Sequence, residues 1–341
     1  MFGKSIKYFI VFVVFAVVFA TYFVFLKSNN NDTVTVTIPK GAHIQQIATI
    51  LHKADAISNP NVFRIAAKIS GYETKLQAGK FHIPQRLNNY ELLHLLKQGR
   101  QIEEKVTFPE GSTAKQIASV LAAKVEVDLS EFMKLVFDST FAADLGIPAT
   151  NLEGYLFPET YRMYWGITAR EAAGILVKQF FRRLPEDAEE KAKSLGYSLH
   201  EMITLASIIE GEAILPEEHA IIAGVYHNRL QKGIRLQADP TIQYIIPDGP
   251  RRLLNKDLQI DSPYNTYKYA GLPPGPIKNP GHAAIVAALN PADVPYRYFV
   301  ARGDGSHVFS TTLQQHNKAK HEFNKVRRRV AREKRKAMEK K

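Results

Sequence analysis

The chain contains no cysteine among its 341 residues. Disulfide frameworks, thiolate zinc sites and cysteine nucleophiles are therefore excluded together. Histidine is present, but His219 and His227 lie eight residues apart, which is two helical turns instead of the one-turn spacing of a zinc-binding helix. We expect neither a metal ion nor an organic cofactor.

The net charge is small outside the last 18 residues, because the rest of the chain carries 35 Lys or Arg against 31 Asp or Glu. Residues 324–341 carry ten Lys or Arg against two Glu, which accounts for two thirds of the formal net charge of +12. A body that is only weakly basic argues against a nucleic-acid partner, because such proteins carry a basic stripe on the folded surface. We treat residues 324–341 as a basic C-terminal tail and expect no nucleic-acid partner.

The one long apolar run lies near the N-terminus, where Tyr8–Leu26 contains no charged residue. A helix of this length spans the apolar core of a bilayer. It is longer than the apolar region of a signal peptide, which favours a membrane anchor over a cleaved leader. Lys4 and Lys7 precede the run, so residues 1–7 are predicted to be cytoplasmic. Residues 27–33 are predicted to form a short linker.

An internal repeat follows the linker. The sequence VTIPKGAHIQQIATIL begins at Val36, and the related sequence VTFPEGSTAKQIASVL begins at Val106. Each copy predicts a strand, a Pro-x-Gly turn and an amphipathic helix. We therefore expect two related α/β units, at residues 34–104 and 105–145. Between the repeated segments, a short strand from Ala78 and a helix from Asn88 to Gly99 are predicted.

Residues 146–323 differ in sequence pattern from the repeat that precedes them, and they are predicted to form one α+β domain. Ser198 and Glu201 form a capping box ahead of an apolar helix, and Pro216 begins another helix that ends at Gly233. From Gly233 to about Arg302 the chain is rich in Pro, Gly, Asn and Asp, which suggests binding loops. The predicted fold class is thus α+β throughout, preceded by a single transmembrane helix.

Glu210 is the strongest candidate for chemistry because it ends an otherwise apolar helix. Burial and the negative end of the helix dipole would both raise the pKa of its carboxyl group. A carboxylic acid that stays protonated near neutral pH can give a proton to the leaving oxygen of a glycoside. The alternative is a solvated residue at the end of a helix. Glu212 is interpreted as a structural or supporting group.

Two polar loop segments are candidates for sugar binding. They read RLQADPT, residues 235–241, and DSPYNTY, residues 261–267. Such residues also form ordinary turns, but Tyr264 and Tyr267 offer rings that can stack on a sugar and hydroxyls that can bind it. His307 and His316 are either groove residues or structural histidines.

Several of these segments together resemble the YceG-like endolytic murein transglycosylases of the MltG type. The matching motifs are LEGYLFPETY from Leu152, ASIIEGE from Ala206, NRL at 228–230, LQADPT, DSPYNTY, GLPPGPI from Gly271, AALNP at 287–291, YFVA at 298–301, and HN at 316–317. Two positions depart from the family pattern, namely Gly211, where lysine is common, and Ile234, where methionine is common. The family pattern does not extend to the basic tail.

The resemblance implies a single-pass inner-membrane protein with a periplasmic LysM-like unit before the catalytic domain. Glu210 would protonate the oxygen that leaves muramic acid, then take the proton of the muramyl 6-hydroxyl, which closes a 1,6-anhydro ring without water. The expected partners are peptidoglycan glycan strands and, at the membrane, peptidoglycan synthases. The expected substrate-binding residues are Gln237, Asp239, Tyr264, Asn265, Tyr267 and Glu159. The expected supporting residues are Glu212, Asn228 and Arg229.

Two other functions are compatible with the sequence. A lysozyme-like hydrolase would use Glu210 as the acid and Asp239 or Asp261 as the nucleophile or base, since most glycosidases require two carboxyl groups. A non-catalytic scaffold would bind glycan through the LysM-like unit and recruit wall synthases.

Overall fold

The computed structural model describes residues 2–99, 102–213, 215–247 and 249–338. Within these ranges helices and strands are mixed, and the strands pair into small two-stranded sheets. The mixed α and β composition and the single N-terminal apolar helix are therefore confirmed. The described chain forms two compact units. The first contains the residues up to Val106 together with Leu121–Val127 and Tyr161–Thr168, and the second contains Thr107–Val120, Asp128–Thr160 and the residues from Ala169 onward.

The apolar N-terminal run forms a continuous helical segment. Helix α1 spans Phe2–Thr21 and passes into a π-helical turn at Tyr22–Leu26. Within it, Ile6–Leu26 has a mean hydropathy of 2.9, and its most apolar window is not buried inside the protein. This length and composition are consistent with a single-pass membrane protein.

The segment predicted as a linker, residues 27–33, packs against the first unit. Asn30 is buried, and its side-chain amide donates a hydrogen bond to the carbonyl oxygen of Pro84. Just before this segment, Val24 and Phe25 pack against the apolar core of the first unit. The end of the apolar helix is therefore attached to this unit by both apolar contact and hydrogen bonds.

The first unit has an antiparallel pair of strands with helices between and after them. Its elements are β1 Val34–Ile38, α2 Ile44–Lys53, α3 Pro60–Ile69, β2 Gly79–Ile83 and α4 Asn89–Gln98. Val36 lies opposite Phe81 in the antiparallel pair, and both side chains are buried because alternate residues of each strand face the helices. Asn88 caps α4 and Gly99 ends it in the left-handed conformation, as the sequence predicts.

The predicted repeat corresponds to a strand, a turn and a helix in both copies. The second copy consists of β3 Glu103–Thr107 and α5 Ala114–Val125. The partners of the two strands differ, however. Strand β1 pairs with β2, whereas β3 pairs with β4, Thr160–Tyr164, which begins at the end of the sequence LEGYLFPETY.

The second unit is mostly helical. Its elements after α5 are α6 Leu129–Val136, α7 Ser139–Asp144, α8 Ala169–Arg183, α9 Ala188–Ser194, α10 Leu199–Glu212, a 3₁₀ turn at Pro216–Glu218, α11 His219–Gln231, α12 Asp239–Ile245, a 3₁₀ turn at Asp257–Gln259, α13 His282–Leu289, the hairpin strands β5 Tyr298–Ala301 and β6 His307–Ser310, and α14 Leu313–Met338.

Helix α10 lies in the core of the second unit and contacts α9, α11, α12 and α13. Ser198 and Glu201 form the predicted capping box at its start. Every residue from Met202 to Ile209 is buried, so the helix is enclosed on all sides. The hydroxyl groups of Thr204 and Ser207 donate to carbonyl oxygens of their own helix, which satisfies them inside the core.

The region from Gly233 to Arg302, expected to be loops, contains the two short helices α12 and α13. Helix α13 buries Ala284, Ile285 and Leu289 and packs against α10. This helix was not predicted, because a short helix that is apolar on all faces shows no helical periodicity in the sequence. The loops around these helices carry the remaining polar residues.

Strands β5 and β6 form an antiparallel hairpin, with Val300 opposite Val308. Helix α14 continues through the boundary predicted at residue 324 as far as Met338. The last three residues of the predicted basic tail lie outside the described residues.

Candidate active site

Two glutamates end helix α10, and they face different surroundings. Glu210 and Glu212 are separated by Gly211 and occupy the last turn. Residues two apart on a helix point in widely different directions. The last turn of α10 therefore presents two carboxyl groups to two different neighbouring regions of the second unit.

Glu210 faces the loops before α5 and α13. The backbone N–H of Gly281 donates a hydrogen bond of 3.0 Å to Oε2 of Glu210. Burial raises the pKa of Glu210 to about 7; the Gly281 N–H opposes this shift, and the charge of Glu110 adds to it. A Cβ atom at residue 281 would lie 2.0 Å from Oε1 of Glu110, so the side chain of Glu110 occupies the space that this glycine leaves open.

Glu212 faces α11 and the start of α12. The hydroxyl of Tyr226 donates a hydrogen bond of 2.9 Å to Oε1 of Glu212. Burial raises the pKa of Glu212 to about 7; the Tyr226 hydroxyl opposes this shift, and the charge of Asp239 adds to it. Two carboxyl groups that are each about half protonated at neutral pH thus lie within one turn of helix.

A lysine that the sequence did not single out lies between these acids. Lys278 interacts electrostatically with Glu210, Glu212 and Glu153, and burial lowers its pKa. The side chain of Glu153 is itself buried and accepts hydrogen bonds from the N–H of Ala114, at the first residue of α5, and from the side chain of Asn279. Burial raises the pKa of Glu153 to about 7.

Asn279 holds these loops together, and the sequence analysis did not identify it either. It is fully buried. Its side-chain oxygen accepts hydrogen bonds of 2.9 Å from the N–H groups of Gly154 and Leu156, and its amide nitrogen donates to Ser112 and Glu153. All of its hydrogen-bonding capacity is therefore used within the protein. The only sequence signal was its position in a Pro-Gly-rich segment that also contains Lys278.

A cavity of about 420 Å³ opens beside Glu212. This volume is in the range of pockets that hold small ligands. Glu210 does not line the cavity. The residues that line it are Glu212, Tyr226, Arg229, Leu236, Gln237, Asp239, Tyr267, Tyr298, Phe299, Val300, Ala301, His307, Leu313, His316, Lys320 and Phe323.

Three residues expected to bind substrate line this cavity, namely Gln237, Asp239 and Tyr267. The hydroxyl of Tyr267 donates to Oδ1 of Asp239. Burial and this carboxylate raise the pKa of Tyr267, so the hydroxyl stays protonated. Gln237 adopts a φ angle of +50° and accepts a hydrogen bond from Arg229. A non-glycine residue held in this conformation is a feature often found at functional sites.

The other residues of the expected substrate-binding set do not line the cavity. Asn265 is fully buried, and its amide nitrogen donates to the carbonyl oxygens of Leu258 and Ile260, so it organises its own loop. The ring of Tyr264 packs against that of Tyr244. Glu159 pairs with Arg183.

The expected supporting residues Asn228 and Arg229 lie on α11 and bind backbone. Asn228 donates to the carbonyl oxygens of Val294 and Tyr296, and Arg229 donates to those of Arg235 and Arg297. Arg229 also lies over the ring of Tyr298, in the cavity wall. These contacts fix the strand and loop that form one side of the cavity.

Both histidines considered as groove residues, His307 and His316, line the cavity. Nδ1 of His307 lies 2.6 Å from a carboxyl oxygen of Glu218, which holds its ring in place. The ring of His316 packs near that of Tyr298. Among the residues that the structure describes, no group of three His, Asp or Glu side chains is placed to hold a metal ion.

The chain is similar to several known proteins. The model of the YceG-like family matches residues 36–322. A Bacillus subtilis protein named endolytic murein transglycosylase is 35% identical over 87% of each chain. A Streptococcus pneumoniae protein of the same name is 31% identical over 86% of this chain, and the match spans 59% of that relative. The crystal structure of a YceG-like protein from Listeria monocytogenes superposes with a TM-score of 0.58 at 34% identity, covering 85% of this chain and 99% of that one.

Proposed function

The chain belongs to the YceG-like family, and from this we propose that it is an endolytic lytic transglycosylase of peptidoglycan. It cleaves the β-1,4 bond between N-acetylmuramic acid and N-acetylglucosamine within glycan strands and leaves 1,6-anhydromuramic acid ends. The observation that carries this proposal is a glutamic acid with a pKa of about 7 in the wall of a ligand-sized cavity. Such a group can act as an acid and then as a base at the same pH.

The sequence assigned the acid/base role to Glu210 and a supporting role to Glu212. The cavity favours the reverse assignment, because Glu212 lines it together with Asp239 and Tyr267, whereas Glu210 does not. We therefore propose Glu212 as the acid/base. Glu210 remains the alternative, since burial raises its pKa to the same value and it lies in the same turn of helix.

The reaction needs one carboxyl group. Protonated Glu212 gives its proton to the glycosidic oxygen as the bond from that oxygen to the muramyl C1 breaks. The resulting carboxylate takes the proton of the muramyl 6-hydroxyl while that oxygen bonds to C1, which closes the anhydro ring and restores the acid. No water is consumed. Asp239, held by Tyr267, faces the same cavity and would stabilise the positive charge that develops on the sugar ring.

We propose that Gln237, Asp239 and Tyr267 bind the sugars directly, with Tyr298 as a stacking surface. Tyr264, Asn265 and Glu159 belong to the set implied by the family resemblance. Their packing supports a role in shaping the loops that carry the binding residues.

Mass spectrometry of the muropeptide products tests the activity. Purified full-length protein, incubated with glycan strands in detergent, is expected to release anhydromuramic acid ends. Reducing muramic acid ends would instead indicate the lysozyme-like hydrolase, with Asp239 or Asp261 as the second carboxyl group. No cleavage by a folded protein would favour the non-catalytic scaffold.

Two matched substitutions test which glutamate acts. We expect Glu212→Gln to abolish cleavage, by a factor on the order of 10³ or more, because the amide cannot supply a proton. Glu210→Gln is expected to retain measurable cleavage. The opposite pattern, in variants that both unfold like the parent, would return the acid/base role to Glu210.

The remaining elements of the proposal concern location and partners. We propose that the N-terminus is cytoplasmic, that the apolar helix crosses the inner membrane, and that the catalytic domain is periplasmic, where glycan strands are made. The family resemblance supports a LysM-like character for residues 34–104 and an association with peptidoglycan synthases. Protease accessibility in spheroplasts tests the topology, and co-purification with crosslinked synthases tests the association.

A further inference from the structure

The side chain of Lys278 passes between two glycines to reach the end of α10. A Cβ atom at Gly111 would lie 3.5 Å from Cδ of Lys278, and a Cβ atom at Gly211 would lie 3.3 Å from its Nζ. At Gly211 the same Cβ would also lie 2.7 Å from Cβ of Pro240. Glycine weakens a helix relative to alanine, and its presence in the last turn of α10 is explained first by the close approach of Pro240; it also leaves space beside the ammonium group of Lys278.

This path brings the ammonium group to the backbone between Glu210 and Glu212. Lys278 interacts electrostatically with both glutamates and with Glu153. Three carboxyl groups therefore interact with one nearby cation, and the pKa of each is raised mainly by burial. The charged and titratable groups that face this cluster are Glu110, Glu153, Glu210, Glu212, Asp239, His219, Tyr226, Tyr244, Tyr264 and Tyr267.

We propose that Lys278 is a positioning residue for the acid/base glutamate. Its ammonium group stabilises the carboxylate that Glu212 becomes after it has given its proton to the substrate, and so sets the pH range in which the site acts. This inference rests on the proposed function and adds to it a residue that neither the sequence motifs nor the comparisons assign.

The ionised form of the acid is the form that the buried site disfavours. Glu212 must hold its proton before the bond breaks and must be stable as a carboxylate immediately afterwards. Burial alone favours only the protonated form, so the proton transfer would be unfavourable without a fixed positive charge. Lys278 supplies that charge from a side chain that passes beside Gly111, in the loop before α5, and reaches Gly211, in the last turn of α10.

Carbon-13 NMR titration of the glutamate carboxyl groups tests this without depending on catalysis. In full-length protein in detergent, the Glu212 signal, assigned by its absence from Glu212→Gln, is followed from pH 4 to 10. Lys278→Met is expected to raise the midpoint of Glu212 by about one pH unit. Lys278→Arg keeps the charge and is expected to leave the midpoint close to that of the parent.

The pH dependence of kcat/KM gives the second readout. In Lys278→Met, the alkaline limb of this profile should move to higher pH by the same amount as the Glu212 midpoint. Activity at neutral pH should be lower than in the parent. Lys191→Met is the matched control, because it removes an exposed lysine that pairs with Asp187 on α9. If Lys278→Met does not fold, Lys278→Gln, which keeps polar hydrogens without charge, replaces it.

An unchanged Glu212 midpoint in a folded, uncharged variant overturns the role of Lys278, whatever the activity. A uniform loss of activity with an unmoved alkaline limb overturns it too, since it would indicate a structural role only. If the parent does not cleave glycan but Lys278→Met still shifts the titration midpoint of Glu212, the proposed function is rejected. The electrostatic coupling between Lys278 and Glu212 is then still supported.

Discussion

The hydroxyl of Tyr226 donates a hydrogen bond of 2.9 Å to Oε1 of Glu212 and connects α11 to the last turn of α10. Tyr226 is almost fully buried, and its pKa is raised well above the ordinary range, so it is a permanent donor. A permanent donor stabilises the ionised form of a carboxyl group more than its neutral form. This pair therefore opposes the effect of burial on Glu212.

Tyr226→Phe should for this reason raise the pKa of Glu212 further. We expect the alkaline limb of the pH profile of kcat/KM to move to higher pH. We also expect the free energy of unfolding to fall by about 1–2 kcal/mol. Tyr155→Phe is the control, since its buried hydroxyl bonds to His200 instead of a carboxylate. A pH profile that moves equally in both variants would contradict the prediction.

Tyr267→Phe should weaken substrate turnover without unfolding the protein. The hydroxyl holds Asp239 in the cavity wall, and loss of a hydrogen bond to a charged group is worth roughly 1.5–3 kcal/mol. We expect kcat/KM on glycan strands to fall by roughly tenfold or more. Tyr269→Phe breaks a similar bond to Asp261, which lies outside the cavity lining, and should leave kcat/KM within about twofold of the parent. Equal losses in the two variants would argue against the cavity as the substrate site.

Asn279→Ala should be among the most destabilising substitutions in the second unit. It removes a fully buried amide and leaves the N–H groups of Gly154 and Leu156 without their acceptor. The expected loss is about 3–5 kcal/mol in the free energy of unfolding by chemical denaturation. Asn290→Ala removes an exposed amide and is expected to cost less than about 1 kcal/mol. A loss below about 1 kcal/mol at residue 279 would show that its hydrogen bonds are dispensable.

Glu153 should make the stability of the protein depend on pH. Burial raises its pKa from 4.5 to about 7, so the folded state binds this proton more tightly than the unfolded chain does. The stabilisation is complete below pH 4.5 and is lost as the pH rises to about 7, by an amount on the order of 3 kcal/mol.

Glu153→Gln should remove this contribution and flatten the decline in the free energy of unfolding between pH 4.5 and 7. Glu159→Gln serves as the control, because ion pairing with Arg183 lowers the pKa of Glu159, and its substitution should not flatten the decline. An unchanged slope in a folded Glu153→Gln variant would indicate that Glu153 is ionised throughout this range.

Local sequence patterns were sufficient for most of the secondary structure. The apolar run, the strand–turn–helix pattern of the repeat and the helix caps each depend on residues that are close together in the sequence. Asn88 and Ser198 could therefore be predicted as helix caps without knowledge of the tertiary structure. Helix α13 was not predicted, because it is short and apolar on every face. The linker was predicted from polarity alone, whereas Asn30 is buried by contacts with residues far along the chain.

The candidate site was predictable in part. The sequence identified Gln237, Asp239 and Tyr267, which line one cavity. It gave the acid/base role to Glu210 and a supporting role to Glu212, whereas Glu212 is the one that lines the cavity. The direction of a side chain at the end of a helix depends on what packs beside it, and here α11 and α12 supply those neighbours.

The sequence by itself determined the apolar helix, the family and the set of acidic and tyrosine side chains available for chemistry, because these follow from residue types and their order. Tertiary structure decided which of them meet. Lys278 and Asn279 follow one another in a Pro-Gly-rich segment, and only the folded chain brings the first to three glutamates and uses the second to join three loops. Electrostatic coupling and buried hydrogen bonds act over a few ångströms in space, whatever the separation along the chain.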